Sequence, residues 1–185
     1  MRELQEVVLL ASMLASLTGC AGVVSLHPVA LPNDKDVVFD AALVGTWEEV
    51  KTDSGDAKNT YTVARAESGY LLSTKPDELK GTMHLLKVGD RYLLDVYCPS
   101  GGAPPPVHLF FKLRLDKDTA WIAEMDSDWL KQQIKTRGQL RHEVLMEDND
   151  RIVLTASPTE LRRYLLPYVK DDQSFGRETE LRRIK

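Results

Sequence analysis

Residues Val107–Asp116 read VHLFFKLRLD, and their alternation decides the fold. Leu109, Phe111, Leu113 and Leu115 fall on one face, while His108, Phe110, Lys112 and Arg114 fall on the other. A period of two marks a β-strand, and this mixture predicts one face on a core and the other toward water. Asp116-Lys117-Asp118 then turns the chain tightly into a second strand-like run, 119–125. Upstream, 79–88 and 91–97 are parted by Gly89-Asp90. The same texture continues back through 70–74, 59–65 and 44–51, with Ser68-Gly69 and 53–56 as separators. Connections this short join neighbouring antiparallel strands. The sequence predicts a mainly β protein, an antiparallel meander forming a small β-barrel over residues 43–170.

Two helices are expected to interrupt the pattern. Ser127 is placed to cap a helix over about 128–137, with Trp129, Leu130 and Ile134 on its inner side and Gly138 as its stop. A hairpin follows, 139–147 and 151–156 around Asp148-Asn149-Asp150. Ser157-Pro158-Thr159-Glu160 is a capping box with proline at the first helical position, starting a helix over about 158–170. Pro167 is expected to kink or shorten it. Residues 171–185 are polar and read as a loose tail.

Before the meander, residues 7–17 form an apolar run of eleven, VVLLASMLASL. A membrane-spanning helix needs roughly twenty residues, so this run fits the core of a secretory signal better. It ends in Leu17-Thr18-Gly19-Cys20, which resembles the lipobox of bacterial lipoproteins. Small side chains let a peptidase reach the backbone before the cysteine, and a thiolate is the nucleophile that accepts a diacylglyceryl group. The resemblance implies a signal peptide at 1–19, lipid on Cys20 and a membrane partner reached through that lipid. Each buried CH₂ contributes ~0.8 kcal/mol, so two or three acyl chains hold where one would leak. Ala21 resembles the residue after the cysteine in lipoproteins sent to the outer membrane, facing the periplasm of a Gram-negative cell envelope. One feature departs from the pattern: Arg2 is outweighed by Glu3 and Glu6. A buried N-terminal helix ending at Gly19 stays open as the other reading. Residues 20–42, with Pro28 and Pro32, read as an extended tether.

Gly45-Thr46-Trp47 opens the first strand as the G-x-W of lipocalins does. Together with LVGTWE (43–48), RYLLDVY (91–97), DWL (128–130) and VLTASPTEL (153–161), it makes the chain from Leu43 to about Val169 similar to bacterial lipocalin-like lipoproteins of uncharacterised function. The second lipocalin signature, a T-D-Y-like turn, is absent. Trp47 then has two readings: a core plug at one end of the barrel, or the floor of a site for a small apolar ligand lined by Leu109 and Phe111.

Chemistry is sparse. Phosphate-binding, dinucleotide-binding, metalloprotease, nucleophile-elbow and C-x-x-C motifs are missing from the sequence. A net charge of −4 argues against a nucleic-acid partner, which calls for a basic face. The four histidines, His27, His84, His108 and His142, are scattered. His84 and His108 could meet as metal ligands with Asp95 or Cys98, but solvated histidines are the commoner outcome. Cys98 precedes PSGGAPPP (99–106), a stiff loop that could serve as a lid or be read by a partner. Asp95 breaks an apolar strand and must either meet a partner or face water. The expectation is a non-enzymatic binding or assembly module without a cofactor or metal, its partners the membrane and either a small apolar ligand or an envelope protein; the remaining alternative is an envelope enzyme using Cys98, paired with His108 or His84, or a histidine.

Overall fold

The structure is a computed structural model describing residues 22–31, 33–50, 59–75, 80–99, 105–138, 140–145 and 151–185. The lipobox, the turns at 53–56 and 148–150, and 100–104 of the proline-rich loop lie outside the described residues.

The meander consists of β3 (Gly45–Glu49), β4 (Thr60–Ala66), β5 (Gly69–Lys75), β6 (Lys80–Val88), β7 (Arg91–Cys98), β8 (Val107–Asp116) and β9 (Thr119–Glu124). Each pairs antiparallel with the next. Two-residue turns join β6 to β7 and β8 to β9, with Gly89 and Lys117 in the left-handed region that such turns demand (φ 66° and 51°). The barrel of eight antiparallel strands is closed by β12 (Thr179–Arg183), which lies between β3 and β9. This corrects the expectation for 171–185: the supposed tail supplies the closing strand. Leu181 is its one buried residue, opposite Glu49 on one side and Ala120 on the other.

The sheet forks at β8. Its second half pairs with β9 to close the barrel, whereas His108 in its first half pairs with Ser25 of β1 (Val23–Ser25). β1 runs parallel to β11 (Arg151–Leu154), which pairs with β10 (His142–Leu145). Residues 23–25 are therefore built into the sheet rather than spun out as a tether. Farther along, β2 (Val37–Val38) pairs with β6.

Two helices cover this fork, α1 (Ser127–Arg137) and α2 (Pro158–Leu165). Asp126, not Ser127, caps α1, accepting the Trp129 N–H at 2.7 Å. Gly138 ends α1 in the left-handed conformation at φ 57°. The capping box of α2 forms as read, and its last turn tightens into a 3-10 turn at Leu166–Tyr168, where Pro167 lacks the N–H to continue.

Apolar side chains divide into two cores. One fills the lumen, with Trp47, Tyr70, Leu85, Leu109 and Leu113 among its members. The other lies between the outer face of β6–β8 and the helices, and includes Leu86, Leu93, Phe110, Leu130, Ile152 and Leu161. The outer face of β8 is thus covered, contrary to the half-solvated strand expected. Phe110 is 2% exposed and Lys112 6%. Lys112 lays its stem on this core and reaches Asp172 at 3.0 Å with its ammonium.

One barrel end is sealed. A 3-10 turn at Ala41–Leu43 precedes β3, and the Trp47 indole N–H donates to the Leu43 carbonyl at 3.0 Å. The Arg183 guanidinium sits 4.3 Å from the Trp47 ring centroid and donates to the Val44 and Ala42 carbonyls. Gly45 makes this approach feasible: its φ is 148°, and a Cβ there would lie 2.7 Å from the Lys185 carbonyl oxygen. The opposite end is the mouth.

Candidate binding site at the barrel mouth

Trp47, Leu109 and Phe111 all line the lumen, together with Leu72, Leu94 and Cys98. Large side chains leave a cavity of about 60 Å³ there. Sites for small organic ligands usually run to ~300 Å³ or more. A lumen this small admits a few methylenes, not a lipid.

Space opens at the mouth instead. Trp47 points inward, so Glu49, two residues on, does so as well; Ala120, Ile122 and Glu124 share the inward face of β9. These strand ends form a vestibule of about 330 Å³ whose floor of Tyr61, Phe111 and Ile122 also bounds the lumen. Asp126, Ser127, Arg177 and Thr179 stand around it. Gly22 completes the wall, packed so closely on α1 that a Cβ there would lie 2.6 Å from Ser127 Cβ.

Glu124 is the unusual member. Its Oε1 is cut off from solvent and has no hydrogen-bond partner among the described residues. Burial pushes its pKa up to about 7, with the positive charge of Arg151 opposing in part. The folded state then holds a proton that the unfolded chain has released, so stability falls as pH rises from the ordinary carboxylate range through about 7. Glu124→Gln should remove this contribution. Urea midpoints at about pH 5 and about pH 8 test it: the wild type should lose more stability between them than the variant. Equal losses would show that Glu124 is not the source.

The remaining candidates resolve differently. Cys98 points into the lumen, where burial pushes its thiol up to about 11, away from nucleophilic thiolate. Asp95, 1% exposed, meets partners rather than water. It accepts the backbone N–H groups of Val29 at 2.7 Å and Ala30 at 2.8 Å, and bonds His108 Nδ1 at 2.6 Å. His108 is therefore engaged, not solvated. His84 stands opposite Asp95 in the register, and its buried Nε2 has no partner among the described residues. Cys98 faces the other side of the sheet, so the four suggested metal ligands do not converge. Among the described residues no group of three His, Cys, Asp or Glu is placed to hold a metal ion. Ser25 lies opposite His108, yet its hydroxyl donates to the His27 carbonyl at 2.7 Å and is fully buried. That leaves it neither free nor reachable as a nucleophile. His27 is exposed, and His142 Nδ1 bonds the Leu140 carbonyl at 2.9 Å. A larger cleft between α1 and α2, about 580 Å³, is lined by Arg137, Arg163, Tyr164 and Tyr168, but Arg137 is already engaged by the Tyr168 hydroxyl.

Glu124 and Glu49 went unnoticed in the sequence, although the signal was present. In AWIAEM (120–125), Ala120, Ile122 and Glu124 alternate onto the inward face, and a carboxylate at the end of such a row marks a barrel mouth.

Compared with protein-family models, with curated proteins and with solved structures, the chain finds no match in any of the three.

Proposed function

We propose that this chain is a lipoprotein of the bacterial cell envelope, cut before Cys20 and held by lipid on that residue. In a Gram-negative cell it would sit on the outer membrane facing the periplasm. It acts as a non-enzymatic binding or assembly module through its mouth and outer surface. No helix among the described residues is long and apolar enough to cross a membrane, and in this reading acyl chains provide the attachment.

The observation that carries the reading is the place of Gly22. It is built into the vestibule wall against the start of α1. Cys20 is two residues upstream, so at ~3.8 Å per residue its Cα lies within about 8 Å of Gly22. An anchor so short ties the mouth to the membrane surface. The eight-stranded barrel with Trp47 plugging its sealed end accords with the lipocalin-like pattern at Gly45–Trp47. The reading of a carrier with ligand deep in the barrel draws on the apolar lining of Trp47, Leu109 and Phe111. The lumen of about 60 Å³ weighs against it.

Intact mass of protein from the membrane fraction should show loss of residues 1–19 and gain of acyl mass. Cys20→Ala should leave the protein uncleaved and unacylated. A Cys20→Ala protein cut at the same bond and still held by acyl mass would end the proposal.

A further inference from the structure

A closed barrel has no free sheet edge, but this sheet leaves the barrel at the fork and runs through β1 and β11 to β10, its last strand. The ladders show which backbone groups of β10 are left over. The Ile152 N–H bonds the Gly22 carbonyl, and the Leu154 carbonyl accepts the Leu26 N–H, so the even residues of β11 face β1. Its odd residues face β10: the Thr155 N–H donates to the Arg141 carbonyl at 3.0 Å. By the alternation of an antiparallel pair, Glu143 and Leu145 are engaged with β11 as Arg141 is. The N–H and C=O groups of His142 and Val144 then point outward, without a backbone partner among the described residues. Val144 and Leu145 lie on opposite faces of β10 and are 38% and 47% exposed. Proteins usually blunt such an edge with lysine, proline or a bulge, and His142–Leu145 contains neither lysine nor proline. Val144 shares its face with Ile152 of the second core, so an apolar side chain set against Val144 from outside would extend that core.

We propose that β10 takes up an extended segment of another protein as an added strand, one with lysine or arginine opposite Glu143 and apolar residues on either side of that cation. Charge selects this partner. Glu143 is exposed and has no ion pair or hydrogen-bonded side chain among the described residues. Glu147, Asp148 and Asp150 follow it in the sequence before β11 begins. The nearest cations along the hairpin are already drawn elsewhere: Arg141 bonds Glu160 at 2.6 Å, and Arg151 acts on Glu124. A second copy of the chain fits less well. Antiparallel self-pairing centred on Glu143 sets two carboxylates face to face, and centred on Val144 it sets Glu143 against Leu145. Neither register supplies a cation. In strand addition the backbone bonds provide affinity and the facing side chains provide selection. The inference goes beyond the reading of the mouth and does not depend on lipid at Cys20.

The test uses the full chain and two blocked synthetic peptides, Thr-Val-Lys-Val-Thr and Thr-Val-Glu-Val-Thr, titrated while the amide signals are followed by NMR. The lysine peptide should slow hydrogen exchange at the His142 and Val144 amides and leave Glu143 and Leu145, already in the ladder, little changed. The glutamate peptide should bind at least about fivefold more weakly, and Glu143→Lys should reverse that order. Val144→Pro removes the outward N–H at an edge position where proline is tolerated, so the fold should persist while the lysine peptide loses at least about tenfold in affinity. Thermal melts of both variants confirm that they are folded, and the charge reversal decides the matter should the proline variant unfold. Equal affinity for the two peptides, an order that survives Glu143→Lys, or no binding of either peptide would overturn the proposal. Sedimentation showing a wild-type dimer that Val144→Pro or Glu143→Lys dissolves would also overturn it, by assigning the edge to a second copy.

Discussion

Asp95→Ala should lower the free energy of unfolding by about 3–5 kcal/mol. The substitution strands the N–H groups of Val29 and Ala30 and the Nδ1–H of His108, all of which converge on one carboxylate that is 1% exposed. A buried donor left unmade costs more than the bond contributed, because water cannot return to it. The loss should be accompanied by release of residues 26–31, which Asp95 holds against the barrel through Val29 and Ala30 and which Arg162 ties down through the Val29 carbonyl. Chemical denaturation measures the first effect, and amide exchange at Val29 and Ala30 the second. Asp95→Asn keeps one acceptor oxygen and should lose less. A loss below about 1 kcal/mol for Asp95→Ala would mean that the apolar packing of Val29 and Ala30 holds this segment without the carboxylate.

The second large effect is expected at the closing strand. Leu181→Asp places a charge in the lumen on the strand that joins β3 to β9, and should cost about 4 kcal/mol or more, enough to leave the barrel open. Arg182, one residue on, is exposed and paired with Glu180 at 3.1 Å, so Arg182→Ala should cost less than about 0.5 kcal/mol. Denaturation midpoints of the two variants give the comparison. Similar small losses would show that β12 is dispensable and that the meander holds its shape unaided.

These two sites also show what was legible in the sequence. The strand Val107–Asp116 has the bounds its alternation predicts, and the capping box at Ser157–Glu160 starts its helix where read. Both signals are local: a period of two, and a side chain reaching its own backbone. The closing strand was illegible because TELRR contains a single apolar residue. Its outward Glu180 and Arg182 belong on a solvated face, and Leu181 suffices inside a lumen already filled from other strands. The three-residue β1 has a parallel partner more than 120 positions away in the sequence, a pairing no local pattern announces. Lys112 disguised the second core, since a lysine on a strand suggests water while its stem can cover apolar surface. The same disguise hid the site. Asp95 reads as an interruption of an apolar run and Glu124 passes unnoticed at the end of one; only the structure separates them, with partners for the Asp95 carboxylate and none among the described residues for Glu124 Oε1.

If lipid on Cys20 holds the barrel mouth against the membrane, as proposed, depth measurement by spin label tests that placement most directly. A nitroxide on a cysteine replacing Thr179, exposed at the mouth, is compared with one replacing Glu67, exposed in the turn beyond β4 at the sealed end. Cys98, buried in the lumen, does not compete for the label. With the acylated protein on vesicles, the Thr179 label should relax faster with membrane-dissolved oxygen, and the Glu67 label with a water-soluble relaxant. The same water-like relaxation at both positions, or a Glu67 label nearer the bilayer, would contradict the claim.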